Sequence, residues 1–104
     1  MIFTTTPDVP NREIAENMGV VVGNVVQSKH VGRDLMAGLK GLIGGEIKGY
    51  TEMLADARDI AIERMVMEAQ KRGADAVVNI RFTTSAIMAN ASEIMAYGTA
   101  VKLK

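Results

Sequence analysis

The 104-residue sequence contains no cysteine and no tryptophan, and only two tyrosines and two phenylalanines. Without cysteine, the chain has no disulfides, no thiolate metal ligands and no cysteine nucleophile. Hydrophobic residues still make up 48% of the chain, so a core must be built from Val, Ile, Leu, Met and Ala. Twelve basic and twelve acidic residues cancel, and this balance favours neither nucleic acid nor an anionic membrane as a partner.

Long apolar runs and a targeting segment are also missing. Charged residues interrupt every apolar stretch before it reaches the roughly 18 residues of a membrane-spanning helix; these are Lys40, Glu46, Lys48 and Glu93. The first ten residues, MIFTTTPDVP, have neither the basic start nor the apolar run of a signal peptide. The sequence therefore predicts one domain over residues 1–104, located in the cytoplasm.

The hydrophobic pattern predicts the element order β-β-α-α-β-β. The predicted segments are a strand in 1–6, a strand in 20–28, a helix in 33–45, a helix in 50–72, a strand in 76–83 and a strand in 92–104. Residues 11–19 are compatible with one or two further helical turns, and 84–92 read as a connection longer than a tight turn. Gly23, inside the second strand, indicates either a bulge or a close approach of another backbone.

The longer helix carries the clearest pattern. Its apolar residues recur every three or four positions and form a core-facing stripe, made of Tyr50, Met53, Leu54, Ala57, Ile60, Ala61 and Met65. Gly73 supplies a stop signal after it. In the following strand, alternation places Ala76, Val78, Ile80 and Phe82 on one face. These patterns predict an α+β fold in which one long helix covers a small sheet.

The segment LMAGLKGLIGGEIKG, residues 35–49, holds five of the ten glycines. A phosphate-binding loop needs a lysine and a hydroxyl directly after its last glycine, and a dinucleotide site needs the pattern G-x-G-x-x-G. The segment contains neither arrangement. We therefore expect no nucleotide cofactor, and the rest of the sequence predicts no other cofactor.

The same glycines are better explained by close packing. On a helix over 33–45, the glycines at 38, 41 and 45 fall within about 60° of one another. Such a helix is apolar around most of its circumference and needs burial on more than one side. The residues that we expect to contact a second copy of the chain are Gly38, Gly41, Gly45, Leu39 and Leu42. A close internal crossing against the longer helix is the alternative.

Polar candidates for a site are few. Acidic residues spaced four, three and four apart share one face of the longer helix, and they are Glu52, Asp56, Asp59 and Glu63. This acidic strip either binds cations or a basic partner, or is a solvated outer face. His30 is the only histidine, and no nucleophile-elbow motif accompanies it. We interpret His30 as a loop or interface residue, with a weaker role as a metal ligand.

Three segments of the chain together resemble a known family. RDLMAGLKGLIGGEIKGYTEMLADARDIAIERM, GADAVVNIRF and the closing YGTAVKL are similar to the YbjQ family of small bacterial and archaeal proteins. The resemblance extends from the FTTTP start to the end of the chain. Its most specific parts are Arg33-Asp34, Ala37-Gly38, Gly44-Gly45, Tyr50 and residues 73–78. It implies an α+β subunit of dodecin-like type that assembles into a ring-shaped homopentamer, with no established enzymatic activity.

The family carries a heavy-metal-binding label, and this chain departs from it at one position. Relatives can have a cysteine just before the GVV of the second strand, where this chain has Met18. A heavy-metal site would then have to use methionine, carboxylates or His30. Met65 and Met67 cannot bind one ion together, because residues two positions apart in a helix point about 200° apart around its axis.

We therefore predict a non-enzymatic, cytoplasmic homo-oligomer that binds a small ligand or ion at its subunit boundaries. Five subunits is the number that the resemblance implies. Neither nucleic acid nor a membrane is an expected partner. Two alternatives stay open. One is a metal-binding protein that uses the acidic strip or a symmetric cluster of His30 side chains. The other is an enzyme whose site lies between subunits, with Arg33, Asp34 and Tyr50 as its polar residues.

The ligand inventory leads to a prediction about heavy metals. Soft ions lack their usual thiolate and imidazole ligands in a chain with no cysteine and one histidine. Calorimetric titration with zinc, copper and cadmium should therefore show only weak binding. A submicromolar affinity that is lost on replacing His30 or Met18 would contradict this prediction.

Overall fold

The computed structural model describes residues 1–28, 42–43, 46–89 and 91–104, with the backbone alone described for 42–43 and 46–48. Its elements are β1 (Ile2–Phe3), β2 (Ile14–Ser28), β3 (Leu42–Ile43), β4 (Glu46–Ile47), α1 (Lys48–Lys71), β5 (Ala76–Met88) and β6 (Ala91–Leu103). The α+β prediction, with one long helix over a small sheet, is confirmed.

Four strands form one mixed sheet in the order β1-β5-β6-β2. The central strand β6 pairs antiparallel with β5 on one side and with β2 on the other. β1 adds a short parallel pairing beside the start of β5. β3 and β4 form a separate two-stranded pair. The three long strands make the molecule elongated, with principal extents of 53 × 24 × 17 Å.

The helix α1 ends where the sequence predicts. Gly73 has a φ of 81°, a left-handed conformation that glycine adopts without steric cost. The Gly73 N–H donates to the Gln70 carbonyl at 3.0 Å, and the Ala74 N–H donates to the Ala69 carbonyl at 3.1 Å. This pair of hydrogen bonds is the Schellman motif, which satisfies carbonyls left open at a helix C-terminus.

The main core lies between α1 and the sheet. The helix contributes small residues and one long one to it, namely Ala57, Ala61, Met65 and Ala69, all fully buried. The sheet contributes Val21, Val25, Val77, Ile80, Ile94, Ala96 and Ala100. The predicted stripe is thus confirmed at its centre. Because most of these side chains are short, the helix backbone lies close to the sheet.

Gly23 marks the closest point of this approach. A Cβ atom on Gly23 would overlap the Ala61 carbonyl oxygen and the Met65 amide nitrogen of α1. The helix therefore crosses β2 backbone to backbone, and only glycine fits on the strand side. Of the two interpretations of Gly23, the close approach is the correct one, since the β2–β6 register is regular from Val20 to Ser28.

A bulge in β5 overturns the predicted strand face. Two residues, Asn79 and Ile80, lie opposite the single residue Gly98, and Asn79 has a φ of 55°. The extra residue moves Ile80 to the helix side with Val77, whereas Val78 lies on the other side. The prediction that 76, 78, 80 and 82 share one face is therefore wrong beyond the bulge.

Three other local predictions are also wrong. Residues 14–19 belong to β2 and not to helical turns, because they pair with the end of β6. The loop over 84–92 is mostly strand, since β5 continues to Met88. Leu42 and Ile43 lie in β3 and not in a helix. The glycines around that strand disfavour helix, which the prediction discounted.

A second, smaller core lies on the opposite side of the sheet, under the N-terminal segment. It consists of Val9, Ala76, Val78, Val101 and Leu103. The N-terminal segment is held to β5 through its backbone, since Thr4 N–H donates to the Val77 carbonyl at 3.0 Å and Ile80 N–H donates to the Thr4 carbonyl at 3.1 Å.

Asp75 ties the turn after α1 to the end of β6. Its carboxylate accepts the Leu103 N–H at 2.9 Å, and Lys102 Nζ lies 3.5 Å away. The Leu103 hydrogen bond, helped by the positive charge of Lys102, lowers the pKa of the Asp75 carboxyl below its ordinary value of 3.8. The charged form is thus stabilised in the folded protein.

The crossing at Gly23 predicts a strong effect of a single methyl group. Gly23→Ala should lower the free energy of unfolding by about 1–3 kcal/mol, since helix and strand must separate to admit it. Gln70→Ala, at an exposed position of α1, should change it by less than about 0.5 kcal/mol. Urea denaturation of both variants measures the difference, and a Gly23→Ala midpoint equal to that of the wild type would show the crossing to be looser than described.

The lowered pKa of Asp75 predicts a pH-dependent stability. A folded-state pKa below the unfolded one adds stability above the unfolded pKa, near 3.8, and this stability is lost as the pH falls through the folded pKa. Asp75→Ala should therefore melt below the wild type at pH 7, with the gap narrowing below pH 3.8. Asp59→Ala, at an exposed carboxylate on α1, serves as the control. An Asp75→Ala gap that stays constant down to pH 3 contradicts the assignment.

Candidate functional site

A cleft opens where β2 ends and α1 begins. Its volume is about 330 Å³, at the small end of ligand pockets. The lining residues come from both elements and are Gln27, Ser28, Gly49, Glu52, Met53 and Asp56. We call this the helix-start cleft. It exists because α1 lies along β2, so the first turns of the helix flank the last residues of the strand.

The chemistry of the helix-start cleft is mainly that of oxygen ligands. Glu52 and Asp56 stand one helical turn apart and are both exposed. Gln27 adds an amide and Ser28 a hydroxyl, whereas Met53 supplies a thioether. Carboxylate, amide and hydroxyl oxygens suit hard cations or organic ammonium groups, whereas soft heavy metals favour sulfur and imidazole.

The structure separates the acidic strip into two parts. Glu52 and Asp56 line the helix-start cleft, whereas Asp59 and Glu63 are exposed farther along α1. The strip as a whole extends about 16 Å along the helix at 1.5 Å per residue, so its ends cannot share one ion. Among the described residues, the ion pairs formed are Arg72–Glu68, Lys102–Asp75 and Lys104–Glu13. The four carboxylates of the strip belong to none of them.

Several predicted site residues lie outside the described part of the chain. These are His30, Arg33, Asp34, Gly38, Leu39, Gly41 and Gly45. Leu42 is described through its backbone alone, in β3. Tyr50 is half-buried in the first turn of α1 and is not among the residues that line the helix-start cleft. Within the described residues, no group of three or more His, Asp or Glu side chains is placed to hold a metal ion.

Sequence reasoning missed a second surface, on the side of the sheet away from α1. Val20, Val22 and Val26 alternate with the buried positions of β2, and Tyr97 lies opposite Val22 on β6. All four are exposed, Val20 by 63% and Val26 by 55%. We call this the open sheet face. Four exposed apolar side chains on adjacent strands are typical of an interaction surface.

The sequence pattern indicated only part of each of these two surfaces. Val20–Ser28 read as an apolar strand, but the pattern alone could not say which face α1 covers. Gln27 and Ser28 carried no signal of a site. They reach the helix-start cleft only because β2 and α1, separated in sequence, meet in the fold.

The described helix has no segment that is long and apolar enough to cross a membrane.

Comparison with known proteins identifies the class of protein. The family model described as "Putative heavy-metal-binding" matches residues 1–104. The chain therefore belongs to the YbjQ family, as the resemblance implied.

Relatives from distant organisms are similar over their whole length. A UPF0145 protein of Colwellia psychrerythraea is 69% identical over 104 residues, covering 100% of this chain and 99% of the relative. One from Shewanella frigidimarina is 70% identical over 103 residues, covering 99% and 96%. One from the archaeon Archaeoglobus fulgidus is 64% identical over 104 residues, covering 100% and 96%. These names state no enzymatic activity.

A solved structure supports the fold. The crystal structure of a protein of unknown function of the DUF74 family, from Pediococcus pentosaceus, superposes with a TM-score of 0.72. It covers 100% of this chain and 98% of its own, at 14% sequence identity. At this level of identity, the likeness concerns the fold alone.

Proposed function

We propose that the protein is a non-enzymatic subunit of a closed homo-oligomer that binds a small ligand or ion at its subunit boundaries. The observation that carries this proposal is the set of apolar side chains that the open sheet face leaves exposed. Five subunits is the number that the family resemblance implies, and the cytoplasm is the expected location.

The surface area of the single chain supports self-association. The chain exposes 6652 Å², whereas a compact monomer of its mass would expose about 5,700 Å². The difference has the sign expected of a subunit that buries surface against a partner. The radius of gyration of 16.9 Å likewise exceeds the about 13 Å expected of a compact chain of this length.

The open sheet face supplies an apolar patch for such a contact. Val22 and Tyr97 form a cross-strand pair at its centre, and Val20 and Val26 extend it along β2. Burying these side chains would recover hydrophobic free energy at about 25 cal/mol per Å² of apolar surface. The predicted glycine contact, through Gly41 and its neighbours, remains part of the proposal as a second patch.

The helix-start cleft is the place proposed for the ligand. Its two carboxylates favour a hard cation or a small organic cation, and a neighbouring subunit would enclose a site that is shallow in one chain. The heavy-metal role named by the family description is the second candidate. It would use Met53 beside Glu52 and Asp56, and the titration with zinc, copper and cadmium tests it directly.

The self-association proposal predicts a mass well above 11.2 kDa. Native mass spectrometry of the purified wild type should give a single closed assembly and any retained ligand together. Val22→Asp should shift the equilibrium toward monomer, because burying an unpaired carboxylate costs far more than the contact returns. A wild-type mass equal to that of the monomer would refute the proposal.

Two comparisons make this experiment specific. Gln70→Asp adds the same charge on the exposed side of α1, and we expect it to leave the mass unchanged. Gly41→Leu tests the glycine contact in the same assay, with Lys40→Leu as its control, because a leucine at a close contact overpacks it. If Val22→Asp leaves the assembly intact, the open sheet face is not the interface.

A further inference from the structure

The N-terminal segment meets the rest of the fold at a well-defined turn. Glu13 is anchored in the sheet, because its carbonyl accepts the Lys104 N–H at 2.9 Å. Two residues earlier, Asn11 has a φ of 63°, a left-handed conformation that Asn adopts more readily than most residues. The chain changes direction there. We call residues 1–10, on the far side of this turn, the N-terminal strap.

The side chains of the N-terminal strap bond mainly to the strap itself. The hydroxyls of Thr4 and Thr6 lie 2.9 Å apart, and the Thr6 hydroxyl donates to the Asp8 carbonyl at 2.6 Å. Pro7 and Pro10 restrict the backbone further, since the proline ring fixes φ. These internal constraints give the strap a shape of its own, so that it can move as one unit.

Hydrogen bonds hold the N-terminal strap to β5 through its backbone. The described main-chain bonds are Thr4 N–H to the Val77 carbonyl at 3.0 Å, Ile80 N–H to the Thr4 carbonyl at 3.1 Å and Asn79 N–H to the Thr6 carbonyl at 3.0 Å. Arg81 Nη1 also donates to the Thr5 carbonyl at 2.9 Å. When the strap leaves, bonds to water replace these bonds, so their net contribution to its attachment is modest.

Val9 is the one buried side chain of the N-terminal strap. It is 6% exposed, against 43% for Ile2 and 49% for Phe3. A segment with so few buried apolar contacts opens locally at a lower free-energy cost than the core of the same protein. The strap is therefore the weakly attached part of the described N-terminal half.

Opening of the N-terminal strap uncovers apolar side chains of the sheet. Beneath Val9 lie the other members of the second core, which are Ala76, Val78, Val101 and Leu103. Val78 lies opposite Thr99 of β6, and Thr99 lies opposite Val20 of β2. Val78 is therefore on the same side of the sheet as the exposed Val20. The second core continues the open sheet face, and the strap covers one end of that face.

We propose that the N-terminal strap is a hinged cover that opens as a unit about Asn11 and lengthens the open sheet face when it opens. The main core lies on the other side of the sheet and contains no residue of the strap, so it stays intact. The consequence rests on the proposed function, since the strap then sets how much apolar surface a partner of the open sheet face can bury. The opening itself is a property of the single chain.

Hydrogen exchange of the wild-type protein tests the opening. The Asn79 and Ile80 amides donate to the strap, whereas the Ile94 and Ala96 amides lie in the central strand β6. At low urea, Asn79 and Ile80 should exchange at least about tenfold faster than Ile94 and Ala96. Their rates should also depend less on urea, because opening the strap exposes little surface. A common rate and a common urea slope for all four amides would overturn the proposal.

A pair of neighbouring substitutions shows whether Val9 is what holds the strap. Val9→Ala removes most of its buried side chain and should raise the exchange rates of Asn79 and Ile80 about tenfold more. Asp8→Ala, at an exposed position of the strap, should change them by less than about twofold. Neither variant should alter the Ile94 rate. Unchanged Asn79 and Ile80 rates in Val9→Ala, or an Ile94 rate that rises by the same factor, contradict a separate strap.

A probe of apolar surface tests what the opening uncovers. Val9→Asp should hold the strap open, because an unpaired carboxylate is costly to bury. This variant should keep a wild-type circular dichroism spectrum and bind at least about threefold more anilinonaphthalene sulfonate, a dye that fluoresces on exposed apolar surface. Ile2→Asp, which places the same charge at an exposed strap position, should bind as little dye as the wild type. Equal dye binding by Val9→Asp and Ile2→Asp would overturn the lengthened face.

Strap opening and self-association fail separately in these experiments. Fast Asn79 and Ile80 amides in a wild type that native mass spectrometry shows to be monomeric support the strap and overturn self-association. Slow Asn79 and Ile80 amides in an assembled wild type overturn the strap and leave self-association standing.

Discussion

The crossing of α1 over β2 at Gly23 is the constraint on which the rest of the structure depends. Because the two backbones touch there, the helix lies along β2 and not over the middle of the sheet. That position brings Arg64 and Arg72 within reach of the β2 carbonyls. It also forms the helix-start cleft, since the helix begins where the strand ends. The distal half of β5, on the far side of β6, is not covered by any other residue that the structure describes.

The scarcity of aromatic residues also leaves part of the sheet exposed. A core of Ala, Val and Ile with one central Met joins one helix to one face of the sheet. The result is an elongated subunit with an open sheet face. A surface of this kind is costly for an isolated chain, and subunit contacts would offset the cost.

The parts of the fold that sequence reasoning recovered depend on local interactions. The alanine-rich stripe of α1 and the Gly73 stop are properties of one segment, and both were predicted closely. The full length of the strands was not predicted, because residues 14–19 form a strand only by pairing with β6, near the other end of the chain. The bulge at Asn79 could not be predicted from the sequence pattern, because it depends on Gly98 of β6 lying opposite. Of the candidate site, Glu52 and Asp56 were found, whereas Gln27 and Ser28 join them only through tertiary packing.

The pairing of β6 with both neighbours suggests an order in which the molecule folds. β5 and β6 are adjacent in sequence, and Met88 pairs with Ala91, so their hairpin needs little loss of chain entropy. β2 must return to β6 from near the other end of the chain, across the whole length of α1. Since the Gly23 crossing needs strand and helix together, we expect β2 and α1 to dock as one late, slow step onto a hairpin that is already formed.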